Sequence, residues 1–514
     1  MKVPVLAGSS IAVVNTPEHA VVLRPPPPSE GVADVGSAIR DAVRFPLAGQ
    51  PLEALVTPGG KATILVEHPS LPLPSAPQDA RQEALAATAD ELVRAGVRSD
   101  QQTLLIAGGL ERRAGRRELE RLVSPEFARR FHGRVEVHDA EDPNLVELGS
   151  VEDIPLRVSR ALVETDAVIV VSAAESVLHG GPAALLAAGG PNGLRRAEAQ
   201  SLLEASASPG WDLGLVLERA LASRVPLLGI SLVLDHPRLG GALRGFPHEP
   251  GVVERAVRSP LRAAFRALPD FARRRFLQSL PVELALLAAF AGPPSVAHTE
   301  ALLRAVEARS VPLDEKLDVI CIGLPPTTAH LPRERPNALL ATHLALGIVL
   351  RLWRDAFPLV DGGTAILVHD FRRRFGHGTQ QPYRDFFRAV RDGLDPVRLE
   401  RSEASAVGDE QAIRAYRSGR SCHPSLPFTD WDACRPALER LGAVFVAGCR
   451  DAAAARRLGF VPTHGVAAAL EMARGRTGRP PRVGFVIAPP YFPLQLAPRT
   501  SAAVAGPSPA PPPT

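Results

Sequence analysis

The sequence predicts an α/β protein: two α/β domains with mostly parallel sheets, joined by a helical connection and leaving a cleft between them. Three observations carry this. Short apolar, β-branched runs alternate with helical stretches, and the runs are apolar on both faces, as strands of a parallel sheet covered by helices must be. The alternation pauses between residues 250 and 310 and then resumes. At 514 residues the chain is long enough for more than one core. The first domain is expected over residues 1–295, its first 40 partly irregular, and the second over 296–496.

In order along the chain, Arg24-Pro25-Pro26-Pro27-Pro28 is a stiff polyproline stretch. Ala62–Val66 reads as a buried strand and Asp79–Ala95 as a helix. Thr103–Ala107 is a second strand, Arg117–Leu122 a helix and Val135–His138 a third strand. Ala167–Val171 and Pro226–Leu234 complete the first series. From Val252 to Glu307 the pattern is almost wholly helical, with an apolar stretch at Leu284–Phe290. The second series has strands at Leu317–Ile322, Thr364–Val368, Ala443–Val446 and Val483–Ile487. Residues 497–514, rich in Pro and Ala and almost without charge, are expected to be a disordered tail.

Composition excludes several function classes. Lys plus Arg is 59 and Asp plus Glu is 55, a net charge of +4 spread over the whole chain, which is no nucleic-acid footprint. The runs Arg273-Arg274-Arg275 and Arg372-Arg373-Arg374 read as solvated helix faces. No run of 18 apolar residues appears, so no membrane span and no membrane partner is expected. The N-terminus lacks a signal-peptide pattern, and Cys321, Cys422, Cys434 and Cys449 form no CxxC, so reduced thiols in a cytoplasmic protein are expected. Only three residues are lysines, Lys2, Lys61 and Lys316, so any chemistry that uses a lysine must use one of these.

In a parallel sheet, ligands collect beyond the carboxyl ends of the strands. Glu67-His68-Pro69-Ser70 follows the first strand, Gly108-Gly109-Leu110-Glu111-Arg112 the second, and Glu175-Ser176-Val177-Leu178-His179-Gly180-Gly181 the fourth. His68, Glu111 and His179 are therefore candidate catalytic residues facing one cleft, since an imidazole and a carboxylate together make a general acid/base pair. The plainer alternative is that each caps a helix or sits solvated in a loop. There is no P-loop, no GxGxxG after a strand, no HExxH and no GxSxG, and no metal-ligand set stands out. Gly189-Gly190-Pro191-Asn192-Gly193 admits either a phosphate against backbone N–H groups or a plain loop.

These strand-end segments, in this order, resemble the nickel-pincer lactate racemase family over most of the chain, about Phe45 to Leu494. Phe45-Pro46-Leu47-Ala48-Gly49 followed by Leu52–Leu55 is similar to the family's Asn-Pro-Ile-Gly segment and its helix. Gly376-His377-Gly378 is similar to its Gly-His-Gly, and Gly465–Arg474 with the strand Val483–Ile487 to its last helix and strand. The resemblance implies two α/β domains with the site between them. It also implies a nickel-bearing pyridinium mononucleotide tethered to a lysine through a thioamide, and two histidines that act as acid and base on a 2-hydroxy acid.

The site motifs depart from that pattern. His68-Pro69-Ser70-Leu71-Pro72 stands at Asp-x-Thr-Arg-Pro, and Gly108–Arg112 stands at Thr-Gly-x-His-Arg, so that Glu111 replaces the first catalytic histidine and Arg112 is kept. His179 falls on the second catalytic histidine. The family's tethering lysine falls near Gly189, and no histidine for the nickel occurs between His179 and His236. The family's substrate-binding Tyr-Gln-x-x-Lys falls on Leu331–Arg335, where Arg335 keeps the charge. A thioamide tether requires a primary amine, which arginine does not offer. The expectation is a lactate racemase-like protein without the tethered cofactor. Its cleft binds a small carboxylate or hydroxy acid, with Arg112 and Arg335 as substrate contacts and Gly189 and Gly190 as the remnant of the cofactor site. The alternative is an active racemase or epimerase, an isomerase of a 2-hydroxy acid, using Glu111 and His179 as its acid/base pair.

Overall fold

The computed structural model describes residues 2–17, 19–69, 71, 79–115, 119, 122–326, 335–372, 375, 377–487 and 491–497. Most of the helix expected over Arg117–Leu122, residues 331–334, Gly376 and nearly all of the 497–514 tail lie outside them.

The chain begins with a hairpin, β1 (Lys2–Ala7) and β2 (Ser10–Asn15), and a short strand β3 (Val21–Leu23). Helix α1 (Val35–Arg44) follows, opened by the Asp34 side chain accepting from the Ser37 N–H. Then come β4 (Ala62–Glu67), α2 (Ala80–Arg94), β5 (Gln102–Ala107) and β6 (Arg134–Val137). A hairpin of β7 (Val146–Val151) and β8 (Ile154–Val158) precedes β9 (Ala167–Ala173), α3 (Ala183–Ala187), α4 (Pro209–Ala222) and β10 (Leu227–Leu234). After β11 (Leu286–Gly292) and α5 (Pro294–Arg309) the second series holds β12 (Leu317–Gly323), β13 (Leu359–Val368), β14 (Leu441–Ala447), β15 (Val461–Thr463) and β16 (Val483–Val486).

Two six-stranded sheets result. The first has the order β11-β10-β9-β4-β5-β6 and is parallel except for β11. The second has the order β15-β14-β13-β12-β16-β3 and is parallel throughout. The central strands are buried on both faces, as their unbroken apolar runs predict. Along β4, Ile64 and Val66 enter the core under α1 and α2, while Leu65 enters the opposite core against Leu213, Leu217 and Leu221 of α4. A third core joins the two halves, running from Leu110, Val177 and Leu202 to Ile320, Leu346 and Phe386.

Three features differ from the sequence reading. The stretch 250–310 is not wholly helical: β11, which begins in the apolar run at Leu284–Phe290 and continues to Gly292, pairs antiparallel with β10 and closes the edge of the first sheet. Its Leu and Ala residues favour helix, but the run has no polar face, and pairing with an open edge overrides propensity. Residues 2–23, read as the irregular start of the first domain, pack with the second sheet. β3 pairs with β16, Gly8 donates its N–H to Leu324, and Val5 shares a core with Val319 and Phe485. The β7–β8 hairpin was not anticipated; it turns at Glu152 and Asp153, both at positive φ (48° and 66°). No disulfide forms among the four cysteines, and among the described residues no helix is long and apolar enough to cross a membrane.

Candidate functional site

A cavity of about 370 Å³ opens beyond the carboxyl ends of β4, β5 and β9 and is closed from the other side by residues 343–351 and 426–439. His68, Glu111 and His179 all line it, so the three candidate catalytic residues do share one cleft. They are joined by Glu67, which the sequence reading passed over although it stands last on β4.

Local geometry explains each position. β4 and β5 are in register, with Glu67 opposite Ala107. After Ala107 the chain turns at Gly108 and Gly109, the latter at φ +50°, and the Glu111 N–H closes the turn on the Gly108 carbonyl at 2.9 Å. The His68 ring lies over Gly108, where an added Cβ would stand 3.4 Å from its Cδ2. After β9, Ser176 starts a tight turn in which its Oγ accepts from the Leu178 N–H (3.3 Å) and lies 3.0 Å from His179 Nδ1.

Gly180 and Gly181 follow in the left-handed region (φ +89° and +52°). A Cβ on either would stand within 2.5 Å of the His298 side chain, so both the backbone angle and the space exclude a larger residue. The Gly180 N–H donates to Glu67 Oε2 at 2.6 Å.

The electrostatics of this turn are unusual. Burial, with the nearby carboxylates of Glu175 and Glu111, pushes the Glu67 carboxyl up to about 8 despite the opposing Gly180 hydrogen bond. Glu67 is thus a protonated carboxylic acid at neutral pH. Glu175, also buried, accepts from the Leu71 N–H at 3.1 Å and lies 3.5 Å from Arg81. Behind His179, fully buried His298 has burial pulling its imidazole down to about 4. Neutral His298 fits its partners: Nε2–H donates to the Ser176 carbonyl (3.0 Å), and Nδ1 accepts from the Ser231 hydroxyl (2.9 Å). His298 thereby fixes the backbone of the Ser176–Gly181 turn that presents His179.

The cavity contains one further group the sequence reading missed. Arg351 lines it and is buried, with Nη1 and Nη2 donating to the Gly347 and Ala199 carbonyls. Its Nε has no hydrogen-bond partner, and among the described residues no carboxylate lies within 4 Å. By contrast, Arg195 in the same cavity is paired with Glu403 at 2.6 Å. Burial draws the Arg351 guanidinium down to about 10, so it stays a cation at neutral pH. In sequence Arg351 ends a Leu-rich stretch, and nothing there marks it as buried.

The other expected contacts are elsewhere. Arg112 reaches across to the Gly419 carbonyl at 3.2 Å and does not line the cavity. Arg335 is ion-paired with Asp270 at a second, separate cavity. Gly189 and Gly190 pack against β8: a Cβ on Gly189 would stand 2.8 Å from the Arg157 carbonyl, and the Gly190 N–H donates to that same carbonyl at 3.0 Å. The Gly189 N–H is used by Leu186 and its carbonyl by His138, so close packing accounts for these glycines.

Residues 8–179 match the family model of the lactate racemase N-terminal domain, a span that contains β4, β5, β9 and all three candidate catalytic residues. In this stretch the chain is similar to the N-terminal domain of lactate racemases. Its fold is similar to that of the lactate racemase apoprotein from Thermoanaerobacterium thermosaccharolyticum, with a TM-score of 0.58 over 97% of this chain and 100% of that chain at 13% identity. A protein from Thermotoga maritima aligns over 90% of this chain and 97% of its own at 11% identity and a TM-score of 0.48. No curated protein matches the chain by sequence.

Lactate racemases are known for the nickel-pincer cofactor, and its tether can be tested against the residues present. Lys2, Lys61 and Lys316 are all exposed and none lines the cavity; Lys61 lies just before the amino end of β4, the end remote from His68. Among the described residues no three His, Cys, Asp or Glu side chains converge as a metal site requires. These residues do not fit a lysine-tethered pincer.

Proposed function

We propose that this lactate-racemase-like chain binds a small carboxylate, of the 2-hydroxy acid class, in the cavity between its two halves, and does so without a covalently tethered cofactor. The observation that carries the reading is Arg351: a buried cation with no carboxylate partner, in a cavity sized for a small molecule. A ligand carboxylate beside it would offset the cost of burying the guanidinium. Glu67, protonated at neutral pH, offers a hydrogen-bond donor to a second oxygen, and His68 and His179 complete a polar wall. Free cysteines accord with a cytoplasmic setting.

Calorimetric titration with lactate, malate and larger 2-hydroxy acids tests this. Binding of at least one is expected, weakened tenfold or more in Arg351→Gln and less in Arg351→Lys, with thermal midpoints of the unliganded variants as the control for folding. Absence of any binding, or binding indifferent to Arg351, refutes the reading, since a ligand of the native state must stabilise it.

A second reading, an active racemase or epimerase with Glu111 and His179 as acid and base, is favoured by the protonated carboxyl of Glu67 beside Glu111. It requires solvent deuterium to enter the substrate carbon, and that exchange must be lost in both Glu111→Gln and His179→Ala.

A further inference from the structure

The second cavity, about 210 Å³, lies beyond the carboxyl ends of β12, β13 and β14 and is roofed by the β1–β2 turn and the helix Asp270–Gln278. Among the described residues, five arginines line it, Arg273, Arg274, Arg335, Arg372 and Arg450, against two carboxylates, Asp270 and Asp370. The carboxylates are already engaged. Asp370 pairs with Arg372 at 2.6 Å, and Asp270 pairs with Arg335, accepts from the Ser9 hydroxyl and lies 3.5 Å from Arg273. Arg274 and Arg450 have no carboxylate within 4 Å among the described residues, and the buried Nε of Arg273 has no hydrogen-bond partner. The floor is buried His369, whose Nδ1 accepts from the Phe371 N–H at 3.1 Å.

Five cations drawn from four separate segments outnumber the two carboxylates that pair with them, and the repulsion that remains is relieved by a bound anion or by salt. The carboxyl ends of parallel strands are where such folds place their ligands. Guanidinium forks match the geometry of phosphate oxygens, and a cavity of this volume holds a small molecule rather than a nucleic acid strand. We infer that this arginine-lined cavity is a second ligand site, taking a small phosphate-bearing ligand through Arg274, Arg450 and Arg273. It is separate from the carboxylate cavity and stands whether or not that cavity binds a hydroxy acid.

The test is calorimetric titration of the full chain at constant ionic strength with inorganic phosphate and, separately, with glycerol phosphate as a simple monoester. Saturable binding of either is expected. Tighter binding of the ester assigns a phosphorylated metabolite, and tighter binding of inorganic phosphate assigns the free anion. The double variant Arg274→Gln/Arg450→Gln should weaken binding at least tenfold, Arg274→Lys/Arg450→Lys should retain part of it, and Glu67→Gln in the other cavity should leave it unchanged. No binding of either probe, equal response to chloride, or binding unaffected by the glutamine double variant overturns the inference.

Discussion

At the residue scale, Glu67 and His298 make opposite claims about pH. The Glu67 carboxyl rises from 4.5 to about 8 in the folded protein, so the native state holds a proton that the unfolded chain releases. Its contribution is present below 4.5 and is lost as pH climbs to 8. Glu67→Gln should therefore match the wild type near pH 4.5 and exceed it at pH 8.5, by about 2 kcal/mol once contact with cavity water is allowed for. Denaturant unfolding at several pH values measures this, and a difference that does not grow with pH contradicts it. His298 falls from 6.5 to about 4, so its contribution is full above 6.5 and is lost as pH drops toward 4. His298→Gln should be less stable at pH 7 by about 2–4 kcal/mol, through poorly paired Ser231 and Ser176 groups, and should lack this acid limb.

Residue identity was legible where position alone decides it. His68, Glu111 and His179 follow strands whose apolar runs are unmistakable, and strand ends in one sheet converge. What was not legible is what burial and long-range contact do. Nothing near Glu67 in sequence announces that Glu111 and Glu175 stand beside it, and nothing near Arg351 announces that its partners are carbonyls. Arg335 misled for the same reason: the charge survives at that position, but Asp270, far away in sequence in the helix Asp270–Gln278, pairs with it at the second cavity.

At the scale of elements, the turn from Ser176 to Gly181 is the part on which His179 depends. Gly181 stands at φ +52° with the His298 Cβ 2.4 Å from where a Cβ would be, so Gly181→Ala should cost about 2 kcal/mol or more by combined strain and overlap. Thermal unfolding tests the cost; a variant as stable as wild type would mean that the turn is not constrained as described. The parallel strands were legible because burial on both faces writes itself as continuous Val, Ile and Leu. β11 and β3 were not, because each is defined by the open edge it pairs with. A Leu/Ala run and three residues before a polyproline stretch contain no record of β10 or β16.

At the scale of the molecule, the halves are locked around the cavity. Tyr416 donates its hydroxyl to the Gly109 carbonyl (2.9 Å) and accepts from the Ala140 N–H (3.2 Å), the His423 N–H reaches the Leu110 carbonyl (2.9 Å), and the Leu202 N–H reaches the Arg351 carbonyl (2.8 Å). Tyr416→Phe leaves two buried backbone groups unpaired and should lower stability by about 1–3 kcal/mol, and it should also weaken hydroxy-acid binding because the Gly108–Glu111 turn forms part of the cavity wall. Urea unfolding and ligand titration of the same variant check both.

A fold similar to that of lactate racemase is kept here around a cavity that no lysine enters. Intact mass and nickel content, measured on the full chain purified from cells that also express the pincer-synthesis enzymes, test it most directly. The expected result is the unmodified mass of the 54.6 kDa chain and no stoichiometric nickel; a cofactor-sized mass increase with one nickel per chain would contradict the absence of a tether.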